Sequence, residues 1–233
     1  MSANPDVLRT SDLIGPAIEV AAEHAAHAVV DAESWNPEEF AREQIRGLVR
    51  RLFFCGDARL IKQVAFSAVG RNVDVAAICD QVGQALSLET SSDVAVVIRS
   101  PAEKDVVRFP GSGYGALKSS ATRLGGNLWF VPECGPQQDP HSGIGRYWLS
   151  RLAALRSEFE YSVIHGPVAG TSNEAAILAE LTDGIVLVLG ANNTRKASVR
   201  KVKESLQTGR SRILGTVLSG RLFPMPDRIY RRL

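Results

Sequence analysis

His165 closes a short apolar run, Tyr161-Ser162-Val163-Ile164, and Gly166 follows it as a turn residue. The run reads as a buried strand that stops at a turn. A strand end serving Mg²⁺ needs a carboxylate, because this hard cation takes oxygen ligands and a neutral imidazole offers none. An imidazole with its ordinary pKa of about 6.5 is better suited to general-base work. The sequence places no Ser or Cys nucleophile and no orienting carboxylate beside it. A hydrogen-bonded structural histidine is therefore the preferred reading.

The other place to look is the segment Ser67-Ala68-Val69-Gly70-Arg71-Asn72-Val73-Asp74-Val75-Ala76. It follows an apolar run, Lys62 to Val69, that reads as the first strand. Ligands of doubly wound sheets sit at the carboxyl ends of the strands. A phosphate loop there needs glycines, so that backbone N–H groups converge, and a Lys for the β- and γ-phosphates. Only Gly70 meets this need. No Lys, Ser or Thr stands where the helix begins, and Asp74 would repel a phosphate. Two readings stand, a loop rebuilt for another ligand and a connecting loop without one. The second is preferred, because fold does not fix function.

Three weaker signals complete the search. Arg99, at the end of Val97-Ile98-Arg99-Ser100-Pro101, reads as a surface side chain beside a Pro turn. Gly111-Ser112-Gly113-Tyr114-Gly115-Ala116-Leu117-Lys118-Ser119 is glycine-rich, but Leu117 stands where Gly should precede Lys118, and no convincing strand leads into it. It reads as a flexible loop. Glu23, His24 and His27 have a spacing that can hold metal on a helix, but no site is assigned to them, and His141 sits uninformatively in a Pro-flanked loop.

The elements that must position these residues form one α/β domain. Apolar strands at Lys62–Val69, Asp93–Ile98, Asn127–Val131, Tyr161–Ile164, Gly184–Leu189 and Ile213–Ser219 alternate with helical periods at Val73–Leu86, Gly143–Ser157, Asn173–Leu181 and Thr194–Gln207. That alternation predicts a doubly wound, mostly parallel sheet with helices on both faces. Asn36 and Pro37 open a further helix that runs to about Phe53, with Glu38 and Glu39 at its positive end. Residues 1–35 read as a partly helical N-terminal extension and 36–233 as the domain. Pro101–Gly126 reads as loop with a short helix, and the Pro-broken basic tail, Phe223–Leu233, as packed at the edge.

The 233 residues are 45% hydrophobic and 22% charged, ordinary for a globular chain with a core. A net charge of +2 gives no reason to expect a nucleic-acid partner. Three separated cysteines, Cys55, Cys79 and Cys134, suit reduced thiols rather than a disulfide framework. With no signal-peptide pattern and no membrane-length apolar run, a cytoplasmic location is expected. On the first helix, Glu43 and Arg46 share a face, either as solvated charges or as a subunit contact. On the last, Arg195 and Arg200 belong to a strongly basic outer side, solvated by default and otherwise open to an acidic partner or phospholipid.

From about Glu38 to Leu233 the chain resembles the cytoplasmic ATPase domain of the bacterial tyrosine kinases of capsule and exopolysaccharide synthesis, relatives of the ParA/MinD class of P-loop proteins. Phe159-Glu160-Tyr161-Ser162-Val163-Ile164-His165-Gly166-Pro167 resembles that family's F-D-Y-V-I-I-D-x-P segment. Asn127-Leu128-Trp129-Phe130-Val131-Pro132 resembles its N-L-W-V-L-P, and Leu214-Gly215-Thr216-Val217-Leu218 its L-G-x-V-L strand. Thr194, Arg195, Val199 and Arg200 fit T-R-x-x-x-V-R. Glu43 and Arg46 fit the start of the oligomerisation motif E-x-x-R-x-x-R, where Val49 replaces the second Arg.

The departures fall on the charged positions. Val75 is nearest the phosphate-loop Lys, the strand ending at Ile98 and Arg99 lacks two Asp residues, and His165 replaces the Mg²⁺-associated Asp. The tyrosine-rich tail is reduced to Tyr230. What the resemblance implies is the fold and the polysaccharide system without the kinase activity, since positioning and charge neutralisation dominate phosphoryl transfer. ATP and Mg²⁺ are not expected to bind well. The expected role is a non-catalytic pseudo-ATPase, a scaffold or regulator. Its expected partner is a membrane-embedded chain-length regulator or a true kinase of the same system, with homo-oligomers also open. The alternatives are an active enzyme whose site has moved to Arg71, Asn72 and the Gly111–Ser119 loop, and a ParA-like adaptor outside polysaccharide synthesis.

Overall fold

The computed structural model describes residues 37–55, 60–99, 117–133, 143–191, 193–207, 209 and 211–220. The N-terminal extension, His24, His27, His141, Cys134, Gly111–Ala116 and the tail with Tyr230 lie outside the described residues.

The expected helix from Asn36 to Phe53 is α1, Pro37–Val49, continued by a π-helical turn at Arg50–Phe54. Acidic Glu38 and Glu39 occupy its first turn, where the helix dipole favours them. Val49, Leu52 and Phe53 turn inward and join the core, while Phe53 and Phe54 meet Tyr161 edge-on.

The sheet comprises β1 (Gln63–Ala68), β2 (Val94–Arg99), β3 (Thr122–Gly125), β4 (Leu128–Glu133), β5 (Tyr161–His165), β6 (Gly184–Gly190) and β7 (Ile213–Ser219). Its order is β3-β4-β2-β5-β1-β6-β7, parallel except for β3. The helices α2 (Val75–Glu89), α3 (Leu117–Ser120), α4 (Ile144–Glu158), α5 (Glu174–Leu181) and α6 (Lys196–Gln207) complete it. Two apolar cores result, one on each face. Leu52, Phe66, Val82, Leu86 and Val96 lie on the side of α1 and α2. Trp148, Leu155, Ile164, Leu178 and Val202 lie on the side of α4, α5 and α6. This two-sided burial explains why β1 is buried at every position and reads as an unbroken apolar run.

One detail of Pro101–Gly126 departs from expectation and one agrees with it. The segment contains strand β3, which pairs antiparallel with β4. All its residues are exposed, so it carries no apolar alternation. Its signal is the Gly125-Gly126 turn, in which Gly126 takes φ 51°. The short helix expected there is α3. The Leu117 and Lys118 N–H groups donate to the Glu158 carboxylate at 3.1 and 2.7 Å, and Lys118 Nζ donates to Asp93 Oδ2 at 2.5 Å. Asp93 precedes β2 and Glu158 ends α4, so this cluster lies at the amino-terminal edge of the parallel strands. The contact with Lys118, aided by the Trp129 indole, holds the Asp93 carboxyl below its ordinary value. Among the described residues no helix is long and apolar enough to cross a membrane.

Candidate nucleotide cleft

β1 sits between β5 and β6 near the centre of the sheet, and the loops leaving β1 and β5 meet at its carboxyl edge. This is where a ligand of a doubly wound fold is bound. The Val69 N–H donates to the Val188 carbonyl at 3.0 Å, the Gly166 N–H to the Phe66 carbonyl at 2.8 Å and the Ala169 N–H to the Ala68 carbonyl at 2.9 Å. Ser67 Oγ donates to the Pro167 carbonyl. These bonds tie the loops after β1 and β5 together.

Gly70, Arg71, Asn72, Val73 and Asp74 follow β1, with Arg71, Asn72 and Asp74 exposed. Asp74 caps α2, its Oδ1 accepting the Ala77 N–H at 3.0 Å. That cap explains why the helix starts at Val75 rather than Val73. The Val75 N–H donates to the Val73 carbonyl at 3.1 Å. Two of the amides that would face an anion at this helix end, those of Val75 and Ala77, are thus satisfied from within the chain. Val75, at the expected Lys position, is 4% exposed and belongs to the apolar core. Val73 packs toward Gly190, where an added Cβ would stand 3.2 Å from its Cγ2. Asp74→Ala is expected to cost about 1 kcal/mol of stability, the usual worth of an N-cap, measured by urea unfolding. Asp74→Asn, which keeps an acceptor, should cost much less.

Arg99 is not the surface side chain expected. Its Nη2 donates to Glu174 Oε1 at 2.5 Å, and Glu174 is 9% exposed. Trp148 Nε1 donates to the same oxygen at 2.8 Å from a fully buried ring. Glu133, opposite Arg99 in the β2–β4 ladder, is fully buried. Its carboxylate accepts from Tyr147 and from Arg151 Nε at 3.2 Å. The carboxylates at this edge are therefore engaged by cations and donors of α4 and β2. Sequence reasoning missed Glu133, Tyr147, Trp148, Arg151 and Glu174. The available signals were a lone acid ending an apolar strand and the i, i+4 pair Tyr147–Arg151 on α4.

His165 is the last residue of β5. It is half-buried, and its Nδ1 has no hydrogen-bond partner, so the expected hydrogen-bonded histidine is not what the structure holds. Burial first, and the Arg99 cation second, lower its pKa below 6.5, while Asp74 pulls the other way. The folded state therefore favours neutral imidazole. As pH falls below about 6.5 the unfolded chain takes up this proton first and stability drops. His165→Gln is expected to flatten the loss of stability between about pH 7 and pH 5.5, followed by thermal unfolding across that range.

Of the alternative site, only Arg71, Asn72 and the Leu117–Ser119 end of the glycine-rich segment fall among the described residues. Lys118 lies at the amino-terminal edge of the sheet in its pair with Asp93, whereas Gly70, Arg71 and Asn72 lie at the carboxyl edge. On α1, Glu43 and Arg46 stand 3.8 Å apart, one turn apart as expected, and both are exposed. Arg195 precedes α6 and Arg200 lies on its outer face, both exposed.

No protein-family model matches the chain. The tyrosine-protein kinase CpsD of Streptococcus agalactiae is 27% identical over 150 residues, covering 58% of this chain and 66% of that protein. Among solved structures, the chimerical protein CapA2B2 matches with TM-score 0.61 at 19% identity, over 76% of this chain and 83% of that one. The kinase domain of the Escherichia coli tyrosine kinase ETK matches with TM-score 0.59 at 14% identity, over 80% and 78%. The chain is related to the bacterial tyrosine-protein kinases. It spans just under two thirds of the length of the CpsD protein it matches. The solved structures bear out the doubly wound, P-loop-NTPase-like fold.

That fold implies a nucleotide with Mg²⁺, and the residues do not fit the pair. The helix end offers a carboxylate where phosphate oxygens need donors, the Lys position holds a core valine, and the strand β5 ends in an imidazole where a hard cation needs an oxygen ligand. Among the described residues no group of three His, Cys, Asp or Glu side chains could hold a metal.

Proposed function

We propose that this chain is a non-catalytic relative of the tyrosine-protein kinases, a pseudo-ATPase acting as scaffold or regulator in capsule or exopolysaccharide synthesis or export. The observation that carries this reading is Asp74. Its carboxylate caps α2 and accepts the Ala77 N–H at the point where a bound triphosphate would sit. Val75 in the core and the Arg99–Glu174 pair support it, since neither leaves a cation or an anion for a metal–nucleotide complex. The role calls for a membrane-embedded chain-length regulator or a true kinase of the same system as partner. Glu43, Arg46, Arg195 and Arg200 are exposed for such contacts or for contacts between copies. The protein works in the cytoplasm and reaches the inner membrane through that partner.

A second reading retains nucleotide binding through Arg71, which is exposed and forms no ion pair among the described residues. Incubation with γ-labelled ATP and Mg²⁺ separates the two. The first reading expects neither labelled protein nor phosphate release above a protein-free blank. Turnover that disappears in Arg71→Ala would establish the second and refute the first.

A further inference from the structure

We infer that the outer edge of β7 is a strand-addition site for an extended acidic segment of a partner protein. β7 ends the sheet, and among the described residues no strand pairs with its outer side. Its sequence, Ile213-Leu214-Gly215-Thr216-Val217-Leu218-Ser219, holds no charge and no proline, the devices that blunt free edges. Leu218 is 53% exposed and the other positions are half-buried. The Ala191 N–H donates to the Ser219 carbonyl at 2.8 Å. By strand alternation, Thr216 and Leu218 then turn both N–H and C=O away from β6 and toward an incoming strand.

The helix α6 beside this edge selects the charge of the occupant. Val199, Val202 and Leu206 bury its inner face. Ser205 and Leu206 line a cavity of about 240 Å³ with Gly170, Ser172 and Ala176, so that flank of α6 faces α5. Helical periodicity then places Lys196, Arg200 and Lys203 in a row along the opposite flank, over the β7 edge. Arg200 and Lys203 are exposed and form no ion pair among the described residues. A strand bearing Glu or Asp satisfies both the backbone edge and this row. Two other occupants suit it poorly. The segment after Gly220 carries Arg221, Arg228, Arg231 and Arg232 against Asp227, and Pro224 and Pro226 cannot donate to a ladder. A second copy paired through β7 would set two basic rows together.

The test uses the full chain and a fluorescein-labelled peptide of about eight residues alternating Val and Glu, with a Val–Lys counterpart. The Val–Glu peptide is expected to bind, to weaken as salt rises, and to slow amide exchange at Thr216 and Leu218. Arg200→Glu with Lys203→Glu should weaken it about tenfold or more. Thr216→Pro, which removes only an outward N–H, should abolish binding while leaving the melting temperature nearly unchanged. Equal binding of both peptides, binding that leaves those two amides exchanging as before, or protection of them in the free chain by its own tail each overturns the inference.

Discussion

Glu174→Ala is expected to lower stability by about 3–5 kcal/mol, the range for breaking a buried ion pair from one side. Glu174 Oε1 accepts from both Arg99 Nη2 and Trp148 Nε1. Its removal strands a guanidinium whose Nε already has no partner, together with an indole N–H at zero exposure. Glu174→Gln keeps an oxygen acceptor and gives up only the charge, so it should lose roughly half as much. Urea unfolding of the two variants measures this. A loss below about 1 kcal/mol in the Ala variant would mean that the pair is solvated and that charge at this edge is not committed internally.

Gly83→Ala is the second large effect. Gly83 lies in α2 where the helix crosses β2, and an added Cβ would stand 2.1 Å from Val96 Cγ2. Val96 is 1% exposed in the central sheet and cannot step aside. Overpacking of this kind is expected to cost about 3 kcal/mol, more than the gain in helix propensity returns. Removing the obstacle should restore much of the loss, so Gly83→Ala with Val96→Ala should be less destabilised than the sum of the single variants. Strict additivity would show that the close approach of α2 to β2 is not what the glycine serves.

The parallel strands were legible because both faces of the sheet are covered. The result is apolar runs such as Val64-Ala65-Phe66 and Val94-Ala95-Val96-Val97, which no exposed face interrupts. β3 was not, because an exposed edge ribbon has no apolar period and its only mark is a Gly-Gly turn. At the cleft, the missing Lys and the unexpected His165 could be read from spacing alone. The partners of Arg99 could not, since Glu174 is 75 residues away and reaches it only through the packing of α5 against the sheet. Nor could the lack of a partner at His165 Nδ1, which depends on what surrounds β5 in three dimensions. The cap at Asp74 was within reach. An acid one residue before an apolar helical run is an N-cap signal, and repulsion of phosphate was only half of its meaning.

The decisive measurement is calorimetric titration of the full chain with ATP, and separately with ADP, in the presence of Mg²⁺. With Asp74 capping α2 through the Ala77 amide and Val75 in the core, only heats of dilution are expected up to about millimolar nucleotide. A saturable isotherm with micromolar affinity for either nucleotide would show that the chain holds a metal–nucleotide complex after all and contradict the central claim.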